Sequence, residues 1–292
     1  MRLKICAMLL LLLSLAAMAA TALAQEPVHW GYVGEAGPAN WGDLSPDFAL
    51  CSSGTKQSPI DIPAIATVNP AGITFNYQDS GVNILNNGHA IQVNYDQGSS
   101  IEANGKTYNL LQFHFHALSE HTLNGQPSDM EMHLVHQSDD GEYAVVGIMM
   151  NRGAENTALA SVWSNLPAEE SEPAAAEGVT INAANLLPAD RAYYNYSGSF
   201  TTPPCTEGVN WFVMANPIEL SDAQAAAFEQ IFNNNYRPVQ PLNERAFLLS
   251  AEVAPETLPV SGGPAIPIGM MVIGAGTLII GAGLYLRRRQ TT

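Results

Sequence analysis

The chain has 292 residues, 27 acidic against 11 basic side chains, a net charge of −16 and a hydrophobic content of 47%. So acidic a chain would be repelled by nucleic acid and by anionic lipid, which argues against either as partner. Its length suits one domain with a substantial core, and neither an internal repeat nor a linker divides its middle.

Residues 1–24 open with Arg2 and Lys4, continue with an apolar run to about Ala20 and close on Ala22-Leu23-Ala24. That order predicts a secretory signal peptide cleaved after Ala24, with an uncleaved N-terminal anchor as the alternative. All 27 acidic residues fall between 25 and 257 with only six of the basic ones, so this stretch carries about −21. Cys6 leaves with the signal. Cys51 and Cys205 remain, an even number in an oxidising compartment, which reads as one disulfide, with two free buried thiols as the alternative.

The mature chain opens with a loop rich in Gly, Pro and Trp over 29–46. Short β segments follow at 73–77, 82–85, 90–95, 100–103, 108–116, 131–137 and 143–150. Asn86-Asn87-Gly88 and Asn104-Gly105 mark tight turns between them. Helical patterns are few: about 157–165, and 221–233 with Ser221 or Asp222 as cap. Residues 167–177, rich in Pro, Ala, Glu and Ser, read as a mobile surface loop, and Thr201-Thr202-Pro203-Pro204 as a rigid turn. The sum is a mainly β (α+β) domain over 25–250, built on a mostly antiparallel sheet.

Residues 251–264 read as a Pro/Gly-rich stalk. Within it Leu258-Pro259-Val260-Ser261-Gly262 resembles a sortase sorting signal, which implies cleavage after Ser261 and attachment to the cell surface. Residues 265–286 are uncharged and long enough to cross a bilayer, and Arg287, Arg288 and Arg289 place the tail 287–292 on the cytoplasmic side. A retained transmembrane helix is the alternative to sortase removal. Either reading sets the domain on the extracellular face, anchored to membrane or cell wall.

The chemistry concentrates in two strand segments. Along Gln112-Phe113-His114-Phe115-His116, alternate side chains share a face, so His114, His116 and Gln112 point one way and the two phenylalanines the other. Along 131–136, Glu131, His133 and Val135 share a face, and His136 falls on the opposite one as a structural residue. If the two strands pair, three imidazoles converge. Three neutral histidines leave an open position on a tetrahedral Zn2+, the pattern of a catalytic zinc site. Gln112 and Glu131 are placed to orient the rings.

At these residues the chain resembles the α-class carbonic anhydrases. The matching strings are HWGY (29–32), QSPIDI (57–62), ILNNGHA (84–90), QFHFHALSEHT (112–122), EMHLVH (131–136), AVVGI (144–148), YSGSFTTPPCTEGVNW (196–211) and YRPVQPLNER (236–245). The resemblance implies a central twisted sheet of about ten strands with a few peripheral helices. It implies reversible hydration of carbon dioxide to bicarbonate by attack of zinc-bound hydroxide, with sulfonamides and anions as inhibitors. His114, His116 and His133 match the zinc ligands. Thr201 matches the threonine that orients the nucleophile, Glu120 the glutamate that holds it, and His89 the proton shuttle. Val135, Val145 and Trp211 match the apolar wall for carbon dioxide, with Phe200 at its mouth and Thr202 at the bicarbonate position. Tyr32, Asn87 and Gln92 line the water side. Asn235 matches the outer partner of His116 through its carbonyl, and His121 a buried structural histidine. Cys51 and Cys205 match a disulfide that anchors the loop of Thr201. The chain departs from the pattern at Phe200, where leucine is common, at Gln92, where asparagine is frequent, and at Ala117, where animal members have tryptophan. The rival reading is a catalytically silent surface-binding or adhesin module on the same scaffold; ester hydrolysis is a third, as a side activity.

Overall fold

Runs of alternating and β-branched residues become strands here because each must pair its backbone while burying at least one face. The computed structural model describes residues 28–63, 67–68, 72–245 and 248–250. The expected signal peptide, stalk, membrane-crossing run and basic tail lie outside the described residues. The chain divides into two units, Met1–Val253 and Ala254–Thr292, and every described residue belongs to the first.

The strands are β1 (Asp61–Ile62), β2 (Thr67–Val68), β3 (Thr74–Asn76), β4 (Asp79–Asn86), β5 (Ile91–Asn94), β6 (Ser100–Ala103), β7 (Lys106–His116) and β8 (Thr122–Leu123). They continue as β9 (Gln126–Pro127), β10 (Met130–Gln137), β11 (Tyr143–Arg152), β12 (Ala174–Asn182), β13 (Tyr193–Ser199), β14 (Glu207–Met214), β15 (Ile218–Leu220) and β16 (Leu248–Ser250). Ten of the described strands form the path β12-β4-β5-β7-β10-β11-β14-β13-β16-β2, with β3, β6 and β15 attached beside it. Pairing on this path is antiparallel except at β11–β14 and β16–β2. The small sheet β1-β8-β9 stands apart. The mainly β architecture is therefore the one expected from the strand pattern.

The central strands are the most apolar. In β10 every residue from Met130 to His136 is buried, as a strand covered on both faces must be. One face of the sheet carries the large core around Phe113, Phe115, Met132, Leu134 and Phe212. The other carries a smaller cluster of Val135, Val145, Trp211, Tyr196 and Ile60. That smaller cluster borders the site.

Among the described residues the four short α-helices are peripheral: α1 (Trp41–Leu44), α2 (Leu50–Ser53), α3 (Ala160–Trp163) and α4 (Asp222–Glu229). Ser221 caps α4, and its hydroxyl and Gln224 bond each other's backbone amides in a capping box. The helix ends at Glu229, four residues short of the expected 233. The opening loop is partly helical, and residues 167–177 are not wholly a loop. Residues from Ala174 onward pair with β4 as an edge strand, with a register shift between Ala175 and Thr180. Bulged, polar edges of this kind resist pairing with other chains.

Candidate metal centre

Three neighbouring strands set the site by register. His114 on β7 lies directly opposite His133 on β10, and Gln92 on β5 lies opposite His114 on the other side. His116 sits two residues on from His114, opposite Glu131. The period of two thus puts all three imidazoles on one face, with ring centroids 4.6 to 5.2 Å apart. One nitrogen from each ring falls within 4.8 Å of the others.

Each ring is held by its remaining nitrogen. His114 Nδ1 is 2.9 Å from Gln112 Oε1, His116 Nδ1 is 2.7 Å from the Asn235 carbonyl, and His133 Nε2 is 2.8 Å from Glu131 Oε1. Acceptors at those positions fix the tautomers, so Nε2 of His114 and His116 and Nδ1 of His133 are the lone-pair nitrogens. Burial lowers all three imidazoles, His116 to about 4, with the neighbouring rings adding to the effect at His114. They are neutral at pH 7, the ligating form. His116 Nε2 is buried without a hydrogen-bond partner. An unmet buried nitrogen costs about 1–3 kcal/mol unless something binds it. The donor set, the tautomers and this orphaned nitrogen all fit a divalent zinc.

Behind the rings runs a buried hydrogen-bond chain. Ser58 Oγ meets Tyr196 Oη at 2.9 Å, Tyr196 Oη meets His121 Nε2 at 2.6 Å, and His121 Nδ1 meets Glu131 Oε1 at 2.7 Å. Glu131 Oε2 accepts from the backbone amides of Glu120 and His121. Burial alone would raise the Glu131 carboxyl, but the His121 and His133 rings and their hydrogen bonds pull it well below the usual range. Glu120 is raised to about 7 by burial, against the His133 ring, the Thr201 hydroxyl and the Arg237 amide, which all lower it.

Arg237, which motif reasoning did not single out, is a hub of this region. Its amide donates to Glu120 Oε1 at 2.8 Å. Its guanidinium donates to Gln57 Oε1, the Ser58 carbonyl and the Cys51 carbonyl. Ties between residues about 120 to 190 apart in sequence leave no local signature. The Cys51–Cys205 disulfide forms, across a sequence separation of 154, and secures the far end of the segment that holds Thr201.

Val135, Val145 and Trp211 are lateral neighbours across β10, β11 and β14, and all are buried. Phe200 packs at the edge of this wall with its ring on Tyr143, 4.8 Å between centroids. Ala117 meets Asn235 through its backbone, its amide donating to Asn235 Oδ1 and its carbonyl accepting from the Asn235 amide.

A cavity of about 130 Å³ opens on the other side of the rings. Tyr32, Asn87, His89, Gln92 and Thr202 line it together with His114 and His116. Asn87 Oδ1 accepts from the His89 and Ala90 amides, and its Nδ2 reaches Gln92 Oε1. The His89 ring stacks on Trp30, 3.6 Å between centroids and 11° from parallel, a contact that strand patterns do not announce. His136 lies on the opposite face, bonded through Nε2 to the Tyr77 hydroxyl at 2.9 Å.

The family profile described as eukaryotic-type carbonic anhydrase matches residues 36–251. A carbonic anhydrase of Nostoc sp. is 48% identical over 225 residues, 75% of this chain and 85% of that protein. The solved structure of α-carbonic anhydrase from Thermovibrio ammonificans, in complex with the inhibitor sulfanilamide, aligns with a TM-score of 0.73 at 42% identity. That match covers 76% of this chain and 99% of that one. Dioscorin DB3L of Dioscorea polystachya is 37% identical over 220 residues, 72% of this chain and 80% of that protein.

Proposed function

The chain belongs to the eukaryotic-type carbonic anhydrase family and catalyses the reversible hydration of carbon dioxide to bicarbonate and a proton, and from that premise we propose that His114, His116 and His133 hold its zinc. The observation that carries this reading is the convergence of three neutral ring nitrogens, two from buried rings and one from the half-buried His114, within 4.8 Å of one another. Zinc in such a set supplies a Lewis acid that makes water a usable nucleophile near neutral pH, as carbonic anhydrases in general illustrate.

The remaining work belongs to the chain's own residues. Gln112, the Asn235 carbonyl and Glu131 keep the ring nitrogens aimed inward. Val135, Val145 and Trp211 exclude water and offer carbon dioxide an apolar bed, and Phe200 narrows its mouth. When the Glu120 carboxyl is ionised, the Thr201 hydroxyl donates its proton to it, and toward the reacting oxygen it can then only accept. That requirement orients a nucleophile that carries a proton and disfavours ligands that carry none. Thr202 receives bicarbonate. His89 takes the released proton from water in the cavity and passes it to buffer outside, a task suited to an imidazole near neutral pH.

The chain ends extend the proposal. Cleavage after Ala24 exports the domain, and residues 258–289 hold it at the outer surface, by sortase transfer at Ser261 or by the apolar run itself. Mass spectrometry of the C-terminus separates the two: an end at Ser261 supports transfer, an end at Thr292 supports a retained span.

The functional test is stopped-flow hydration of carbon dioxide by residues 25–257. We expect turnover that a sulfonamide abolishes, and the sulfanilamide complex of the Thermovibrio relative supports that choice of inhibitor. No sulfonamide-sensitive hydration would favour the binding-module reading instead.

A further inference from the structure

A carboxylate that none of these roles uses stands over Gly88, the residue before His89. Glu170 is exposed, in the segment between α3 and β12. That segment is clamped to the turn preceding His89 by a single buried residue, Asn86. The Ser171 amide donates to the Asn86 carbonyl at 2.9 Å, and the Asn86 amide donates to Ser171 Oγ at 3.2 Å. Asn86 Nδ2 donates to the Pro167 carbonyl at 3.3 Å, while its Oδ1 accepts from the Gly88 amide at 3.0 Å. Loop and turn are therefore fixed to each other.

The clamp sets the Glu170 carboxylate over Gly88. A Cβ at residue 88 would lie 3.3 Å from Glu170 Oε2, and the residue's φ of +82° already favours glycine. The carboxylate occupies space that any side chain at 88 would contest. His89 follows immediately, half-buried, with Trp30 against its ring face. Two titratable neighbours act on this ring: Glu170 favours its charged form, and His29 opposes it. Burial also opposes charging and is the largest influence, so the ring sits below its ordinary value. Trp30 and Asn235, which also touch His89, bring no charge.

We propose that Glu170 is a positioning residue for proton release: held over Gly88 by Asn86, its carboxylate offsets the burial of His89 and lets that ring load a proton at the mouth of the cavity. This rests on His89 as the proton carrier. The ring nitrogen takes a proton from cavity water, becomes imidazolium, and yields the proton to a base in bulk solvent. Without Glu170, burial and His29 hold the ring lower still, and transfer is fastest when the carrier's pKa lies near the working pH.

The test titrates the His89 ring protons by NMR in the full catalytic domain, with His89→Ala giving the assignment. Buffer-dependent hydration is measured alongside. Glu170→Gln is expected to lower the His89 pKa and slow turnover severalfold in weak buffer, with KM unchanged and the rate restored by added imidazole. Glu170→Asp retains most of both. Glu172→Gln removes the same charge from the same segment and leaves both untouched. Because Glu170 is exposed, ~1 M salt should shrink the difference between wild type and Glu170→Gln. An unmoved His89 titration in Glu170→Gln, or an equal shift in Glu172→Gln, would overturn the proposal. If His89→Ala itself leaves weak-buffer turnover unchanged, the carrier assignment fails and the proposal with it. That outcome is distinct from one in which His89→Ala slows the enzyme and Glu170→Gln does not.

Discussion

Gly147 shows how narrowly the residues around the rings are fitted. It faces His133 across the β10–β11 pair, and a Cβ there would lie 3.0 Å from Glu131 Oε1 and 3.5 Å from Val213 Cγ2. Glu131 cannot yield freely, because its oxygens serve two histidine rings and two backbone amides. Gly147→Ala therefore tilts the carboxylate that orients His133. Outer partners of metal-bound histidines typically matter by about 10–100-fold in affinity. We expect a zinc affinity lower by about that factor in a chelator competition, with the domain still folded by circular dichroism. Unchanged affinity would mean that Glu131 does not orient the ring through this contact.

At the level of elements, the segment between β13 and β14 carries Thr201 and is held from two sides. Near its start Ser58 and Ser199 exchange hydrogen bonds, the Ser58 amide donating to Ser199 Oγ and the Ser199 amide to Ser58 Oγ. Near its end Cys205 is bonded to Cys51. Closing a loop across 154 residues of sequence limits the unfolded chain, by up to about 5 kcal/mol in the chain-entropy account. The double variant Cys51→Ser/Cys205→Ser should lower the denaturant midpoint by an amount within that bound and reduce turnover as the Thr201 segment loosens. A variant with unchanged midpoint and full activity would show that the hydrogen bonds alone hold the segment. Much of this region was legible beforehand. The alternation of Gln112, His114 and His116, and of Glu131, His133 and Val135, led directly to two paired strands with convergent rings. Strand β12 was not legible, because Ala, Glu and Gly have little β preference and the strand exists by pairing with β4. The register shift between Val135 and His136 leaves no mark in the pattern either. Arg237, the Trp30–His89 stack and the Glu170 clamp escaped for another reason: they are tertiary contacts between segments far apart in sequence.

For the whole molecule, stability and function both turn on buried histidines that must stay neutral. His136, away from the zinc ligands in the large core, is lowered by burial to about 3. Unfolded, the same imidazole takes a proton near pH 6.5. Between those values the unfolded chain binds a proton that the folded chain refuses. Its contribution to stability is intact above about pH 6.5 and falls as pH drops toward 3, by up to about 1.4 kcal/mol per pH unit. Urea midpoints at pH 7 and pH 5 should therefore differ more in wild type than in His136→Gln, and equal differences would contradict a neutral buried ring. The three ring nitrogens at the site are lowered in the same direction, but binding a metal gives their neutrality a use. The direct measurement is zinc content of the purified domain by inductively coupled plasma mass spectrometry, beside His116→Ala. The account predicts one zinc per wild-type chain, and none held by a His116→Ala chain that remains folded. A wild-type domain that hydrates carbon dioxide with no stoichiometric metal, or a His116→Ala chain that keeps its zinc, would contradict it.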